Sequence, residues 1–256
     1  MGFSSAQFID LNGKSVLITG GASGIGASLV EGFVQQGCKV AFIDIDDLAA
    51  AGLLQKLGPA SGDSVRYIKA DLSDVRSAQD AVNSAASDLG GLNVVINNAA
   101  RDDRHSFDTA TETDWEKSLS VNLKQMFFVC QAAIPHLRAA GGGSIINFSS
   151  IAFMLNMPEL PIYATAKAGI IGLTKSLAGH AGIDKIRVNA VLPGMIVTER
   201  QKQMWLTDAS IDAFVQKQCL KRSLIAEDLV GPCLFLASDA SGGITAQSLI
   251  IDGGVF

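Results

Sequence analysis

Tyr163 and Lys167 stand four residues apart in the stretch "PIYATAK", with only small residues between them. Positions i and i+4 of a helix share one face. A phenol and an amine so placed can do proton chemistry if the phenol ionises near neutral pH. Free tyrosine has a pKa of ~10, so this needs a downward shift of roughly 2–3 units, or about 3–4 kcal/mol. An ammonium about 5 Å away, at an effective dielectric near ~20, supplies roughly 3 kcal/mol. The spacing therefore predicts a general base: a phenolate kept ready by a neighbouring cation. Ala164, Thr165, Ala166, Ala168 and Gly169 leave room for a ligand or a second backbone to approach. Taken alone, such a pair is more often an ordinary helix face, and the rest of the chain has to decide.

A second motif is "TGGASGIG" at 19–26, with Gly20, Gly24 and Gly26. In a chain with 26 glycines the spacing alone is weak. Its context is stronger, because it follows an apolar run and opens a helical pattern. Glycine lets backbone approach a pyrophosphate there, and the helix N-terminus offers unpaired N–H groups and partial positive charge. Ser23 and Ile25 belong to the same turn. Asp44 ends the next apolar run, and a carboxylate at that point can accept both hydroxyls of an adenosine ribose. It stands in "DIDD" with Ile45, Asp46 and Asp47 and no arginine. A 2′-phosphate would meet repulsion there, so NAD is expected over NADP.

These motifs need a scaffold, and the chain supplies an alternation. Short runs rich in β-branched residues recur: SVLIT (15–19), KVAFID (39–44), VRYIKA (65–70), NVVINN (93–98), SIINFS (144–149), IRVNAVLP (186–193) and SLIID (248–252). Longer stretches of helical periodicity lie between them, such as ASLVEGFVQQG (27–37). Near-continuous apolar strands separated by helices predict an α/β fold, a seven-stranded parallel sheet with helices on both faces. The strands fill 1–256 without a linker, so one domain is expected. "KLGPASGDS" and "AAGGGS" read as local punctuation.

Composition narrows the function classes. Apolar residues make up 48% and charged residues 18% of the chain, an apolar balance that predicts surface buried between subunits. The net charge is -5 with no basic run, which removes the electrostatic footprint of a nucleic-acid binder. Cys38, Cys130, Cys219 and Cys233 are far apart, as are His105, His136 and His180, so no metal site is expected. Reduced, mostly buried thiols fit a cytoplasmic protein. The start "MGFSSAQFID" lacks both the basic region and the apolar core of an export signal, and Ala6 breaks the myristoylation pattern. No run approaches the ~18 apolar residues of a membrane span.

"TGGASGIG", "NNAA" at 97–100, Asn122 in "SVNL", Ser150, Tyr163, Lys167 and "PGMIVT" at 193–198 together resemble the short-chain dehydrogenase/reductase family. The likeness runs along almost the whole chain, with Ser150 thirteen residues before Tyr163. It implies a three-layer Rossmann fold with strand order 3-2-1-4-5-6-7, a nicotinamide cofactor, and a homotetramer or dimer. It implies that Ser150 holds the reacting oxygen for Tyr163. Asn122 would anchor a water that relays protons from Lys167, and Lys167 would also bind the nicotinamide ribose. An oxidised nicotinamide would add positive charge beside Tyr163. Asp71 and Leu72 resemble adenine contacts, and Asn98 and Ala99 lie under the ribose. Pro193, Met195, Ile196 and Thr198 resemble the loop that grips the carboxamide and pyrophosphate. Where the family usually has "NNAG", this chain has Ala100, whose methyl should narrow the space beside the nicotinamide.

The substrate is read from two segments, "ARDDRH" (100–105) and "ERQKQMW" (199–205). A polyhydroxylated ligand needs charged and amide groups for its hydroxyls and an indole for its C–H face. With "QCLK" (218–221), these segments are similar to bacterial NAD-dependent aldose 1-dehydrogenases. That likeness implies oxidation of a pentose, galactose or 6-deoxyhexose pyranose at C1 to the lactone. Arg104, His105, Asn156, Gln201 and Trp205 are the substrate candidates, beside Ser150 and Tyr163. Two competitors stay open: a reductase of 3-oxoacyl thioesters, disfavoured by "DIDD", and a non-catalytic nucleotide sensor, which would have no use for a poised phenol.

Overall fold

The computed structural model describes residues 6–58 and 64–256. The first half of the N-terminal stretch, 1–5, and the centre of "KLGPASGDS", 59–63, lie outside the described residues.

The central apolar runs become strands because each is buried from both sides, while the two edge runs, Val65–Lys69 and Ser248–Ile251, are only partly covered. β1 (Ser15–Thr19) leads through α1 (Gly24–Gln35) to β2 (Lys39–Asp44), then α2 (Asp47–Leu57), β3 (Val65–Lys69), α3 (Val75–Leu89) and β4 (Val94–Asn97). Next come α4 (Glu112–Leu119), a π turn at Ser120–Lys124, α5 (Gln125–Ala139), β5 (Gly143–Phe148), α6 (Pro161–Ala181) and β6 (Ile186–Pro193). After α7 (Glu199–Met204), α8 (Asp208–Lys217) and α9 (Val230–Ala237), β7 (Ser248–Ile251) closes the sheet. The seven strands form one all-parallel sheet in the order β3-β2-β1-β4-β5-β6-β7. The direction of winding reverses between β1 and β4. In open parallel sheets, ligands bind outside the strand C-termini at such a reversal.

Alternation along each strand divides the core in two. Val16, Ile18, Val40, Phe42, Val94 and Ile96 pack with α1 and α9 on one face. Leu17, Ala41, Ile43 and Val95 pack with α3, α5 and α6 on the other. The edge strand β7 leaves Leu249 and Ile250 exposed on the single chain. Cys38, Cys130 and Cys233 are buried thiols, and Cys219 is an exposed one.

α6 is tied to the sheet by a buried polar chain. Asn97 on β4 donates to Asn147 Oδ1 on β5 (2.9 Å), and Asn147 Nδ2 donates to Thr174 Oγ1 on α6 (3.0 Å). Buried side-chain amides are costly unless paired. Each bond here therefore fixes how far α6 can slide along the strands, and with it the helix that carries Tyr163 and Lys167.

Candidate active site

The C-terminal ends of β1 to β6 open into one cleft of ≈ 1470 Å³. Its first end is built from backbone. A Cβ on Gly20 would sit 2.8 Å from Ala99 Cα, and one on Gly26 would sit 1.8 Å from Gly20 O. Gly24 lines the cleft with φ +53°, a conformation that glycine adopts freely. Gly26 is not on the cleft wall; it lets α1 start against the turn. Asn98 closes the turn, its Nδ2 donating to Thr19 O (3.1 Å) and Gly20 O (3.0 Å). Thr19 Oγ1 accepts from Asn98 N and Ala99 N.

α2 and α3 are capped by the side chains of Asp46 and Asp74, whereas Ser23 makes no side-chain cap bond at the start of α1. Its first N–H groups therefore remain for an anion, which fits a pyrophosphate. Gly20, Ser23, Gly24, Ile25, Asp44, Ile45, Asp71, Leu72, Asn98, Ala99, Pro193, Met195, Ile196 and Thr198 all line the cleft, as the sequence motifs imply.

The acidic stretch after β2 needs a correction. Asp46 is spent on capping α2, and Asp47 is paired with Lys69 and accepts from Tyr67 Oη. Of the three carboxylates only Asp44 lines the cleft, where it accepts from Ala22 N, Ile45 N and Asp46 N. A carboxylate has about four acceptor positions, so Asp44 retains capacity for a ribose. Repulsion of a 2′-phosphate thus rests on one residue rather than three, and Lys69 neutralises its neighbour.

At the middle of the cleft, Ser150, Tyr163 and Lys167 line one wall. Lys167 Nζ lies 5.4 Å from the centre of the Tyr163 ring and donates to Phe148 O (2.9 Å). Ser149 Oγ donates to Lys167 O (2.6 Å), holding that turn of α6 against β5. The shared helix face is as the spacing requires, but the protonation balance is not as expected. Burial pushes the Tyr163 phenol up; the Asp102 carboxylate pushes it further, and a hydrogen bond with Ser150 lowers it. Burial also pulls the Lys167 ammonium down, to about 7, against an upward pull from Asp102. Desolvation penalises both charged forms, so the lysine by itself does not hold a phenolate. The protein's own residues leave a neutral phenol beside an amine that titrates near neutrality.

Asn122 is buried in the π turn, a feature that clusters at functional sites. Its side chain makes three bonds: Oδ1 accepts from Arg101 N (2.9 Å), and Nδ2 donates to Arg101 O (2.9 Å) and Ser118 Oγ (3.3 Å). It therefore clamps the loop that leaves β4, a role not visible from the motif.

The far end of the cleft is made of side chains. Arg104 pairs with Glu159 (3.4 Å), and its guanidinium lies 5.3 Å from the centre of the Trp205 ring. His105 N donates to Glu159 O (3.1 Å). These contacts join the loop after β4, the loop before α6 and the end of α7. Arg104, Gln201 and Trp205 line the cleft. Arg104 Nε, His105 Nε2, Gln201 Oε1 and Trp205 Nε1 are buried without a hydrogen-bond partner. His105 is not on the cleft wall and acts as a loop clip. Asn156 is not on it either and is exposed. Met157 N donates to Leu155 O (3.0 Å), a γ-turn with Asn156 at its centre. Leu155 and Met157 line the cleft on either side of it. Among the described residues no group of three or more His, Cys, Asp or Glu is arranged to hold a metal ion, and no helix is long and apolar enough to cross a membrane.

This crevice, with its glycine turn and its serine, tyrosine and lysine on one wall, defines a class of enzyme. Residues 20–256 match the family model described as enoyl-(acyl carrier protein) reductase, and the chain belongs to the short-chain dehydrogenase/reductase family, which binds a nicotinamide cofactor. Among known proteins it is 59% identical, over 100% of both chains, to "Probable galactose dehydrogenase GalD" of Rhizobium meliloti (strain 1021). It is 41% identical to D-xylose 1-dehydrogenase of Caulobacter vibrioides, over 98% of this chain and 99% of that one. A solved blue fluorescent protein from a metagenomic library, in complex with NADPH, superposes with a TM-score of 0.87 at 31% identity, covering 96% of this chain and 99% of that one.

Proposed function

We propose that this enzyme oxidises the C1 hydroxyl of an aldopyranose, passing hydride to NAD and releasing the lactone. The observation that carries the reading is the polar lining that Arg104, Gln201 and Trp205 give the cleft that also holds Tyr163. Each keeps a polar atom unpaired within the protein, so a shift that opens these atoms to a ligand bearing several hydroxyls would satisfy them. The names of the two sugar-dehydrogenase relatives support the same substrate class, with galactose the first to test and fucose, arabinose and xylose after it.

The oxidised nicotinamide, when bound, accepts the hydride and brings a positive charge to the site. Asp44 would hold the hydroxyls of the adenosine ribose, the α1 N-terminus the pyrophosphate, and Lys167 the nicotinamide ribose. Ser150 keeps the sugar oxygen in place. Tyr163, ionised once that positive charge is beside it, takes the hydroxyl proton as the C1–H bond breaks and the C=O bond forms. Lys167, titrating near neutrality, holds or yields a proton next to that phenol at little cost. Asn122 serves by fixing the loop at Arg101, and a water it anchors would use its backbone or the acceptor position left on Oδ1. The exposed apolar residues of β7 support subunit pairing in a cytoplasmic dimer or homotetramer, which light scattering reads directly.

A second reading, reduction of a 3-oxoacyl thioester, draws on the apolar floor of Leu155, Met157 and Leu160. Aldoses and a 3-oxoacyl thioester, each offered with both coenzymes, separate the two. The expected result is NAD reduction with at least one aldose and lactone as product. Strict NADPH use with the thioester alone would replace the sugar reading. Tyr163→Phe should keep NAD binding and lose turnover by a factor of about 100 or more; retained turnover would remove the phenol from the mechanism.

A further inference from the structure

The charges of the loop after β4 sort themselves into pairs with one left over. Arg101 Nε meets Asp103 Oδ2 at 3.3 Å, and Arg104 meets Glu159 at 3.4 Å. Asp102, between them, makes no hydrogen bond or ion pair among the described residues. It is half-buried and lines the cleft with Ser150, Tyr163 and Lys167. Its charge reaches both the phenol and the amine through the cleft they share. Nor is the loop free to turn it away: Asn122 clamps Arg101 N and Arg101 O with two bonds of 2.9 Å. A fixed acceptor-only group at the reacting end of the cleft calls for a donor on the substrate.

We infer that Asp102 accepts a hydrogen bond from the hydroxyl adjacent to the reacting carbon, the C2 hydroxyl of an aldopyranose. The inference rests on the aldose reading above. C1 of a pyranose has two neighbours. One is the ring oxygen, which carries no proton to donate; the other is C2, whose hydroxyl does. Asp102 thereby becomes a residue that reads the substrate next to the bond that breaks, while Arg104, Gln201 and Trp205 read its far side.

The test is a cycle in which one partner is removed from the protein and the other from the sugar. kcat/KM is measured for the preferred aldose and its 2-deoxy counterpart, with wild type, Asp102→Asn and Asp102→Ala. Wild type should lose about tenfold to a hundredfold on the 2-deoxy sugar, the size of a hydrogen bond to a charged group. Asp102→Ala should lose a similar factor on the parent sugar and no longer distinguish the two. Asp102→Asn, which keeps an uncharged acceptor of the same shape, should fall between them. The KM for NAD should not move in either variant, which separates loss of this contact from a general disturbance of the site. Equal discrimination by wild type and Asp102→Ala would overturn the assignment while leaving the aldose reading in place. A wild type that oxidises no aldose would overturn both.

Discussion

The two ends of the cleft are built on opposite principles. At the first end nearly every polar group is already satisfied by backbone. Asn98 and Thr19 tie the glycine turn together, Asp44 holds three N–H groups with one acceptor position to spare, and the first amides of α1 stay open. At the far end, Arg104, His105, Gln201 and Trp205 each keep a buried polar atom without a partner. The first end can accept a dinucleotide without rearranging; the far end stays energetically incomplete until a polar ligand arrives. A site for one constant ligand can be made of main chain, where side-chain changes have little purchase. A site whose ligand differs from enzyme to enzyme is made of side chains on connecting segments.

That contrast predicts where substitutions act, and the largest effect falls in the backbone end. The Cβ of Gly26→Ala would lie 1.8 Å from Gly20 O and 2.9 Å from Asn98 Nδ2. Neither neighbour can yield without opening the turn. The variant should lose about 3 kcal/mol of stability, as severe overpacking does, and most of its affinity for the nicotinamide cofactor. Thermal melting and titration of reduced-cofactor fluorescence check both. Gly24→Ala is the control: its Cβ would meet only the Thr198 side chain, at 3.6 and 3.9 Å, and the positive φ costs about 1 kcal/mol. Equal damage from the two would mean that close packing is not what the motif conserves space for.

Between the two ends sits Lys167, where function and stability oppose each other. Its ammonium pKa falls from 10.5 to about 7 on folding because the group is buried. Between those values the unfolded chain holds a proton here that the folded chain has released, so stability from this group rises with pH. The penalty is full below about pH 7 and fades as the pH approaches 10. Lys167→Met should abolish turnover and stabilise the fold by about 2 kcal/mol at pH 6–7, after allowing for the lost bond to Phe148 O. The gain over wild type should shrink toward pH 10. Melting curves of both proteins at the two pH values test this, and a gain that grew with pH would reverse the argument.

What the sequence revealed follows the same division. β1, β2 and β6 fall where their apolar runs lie, and the other strands differ by a residue or so at their ends, because strands buried on both faces are uninterruptedly apolar. The placement of the glycine turn, Asp44 and the Tyr163–Lys167 face was legible because it depends on local spacing. Side chains that act through distant partners were not. Asp46 and Asp47 read as free charge, yet one caps α2 and the other is held by Lys69 across the β2–β3 pair. Asp102 was one of five polar residues in a row until the pairing of its neighbours left it single. Asn156 had the right chemistry for a sugar but stands exposed at the centre of a γ-turn, off the cleft wall. The phenol's protonation depends on burial, which no pair spacing encodes.

The smallest predicted effect is the most discriminating, because it touches only the far end. Trp205→Phe keeps an aromatic ring beneath the Arg104 guanidinium and deletes one unpaired N–H. If that indole donor waits for a sugar hydroxyl, its loss removes nothing from the free protein. The melting temperature should then stay where it is or rise slightly, since an unsatisfied buried donor is gone. The KM for the sugar should rise by about two- to tenfold, the range of a neutral hydrogen bond, with the KM for NAD unchanged. A fall in melting temperature with no change in either KM would instead make Trp205 a structural prop for the loop after β4. The far end would then be as self-sufficient as the first, and substrate choice would have to reside nearer Tyr163.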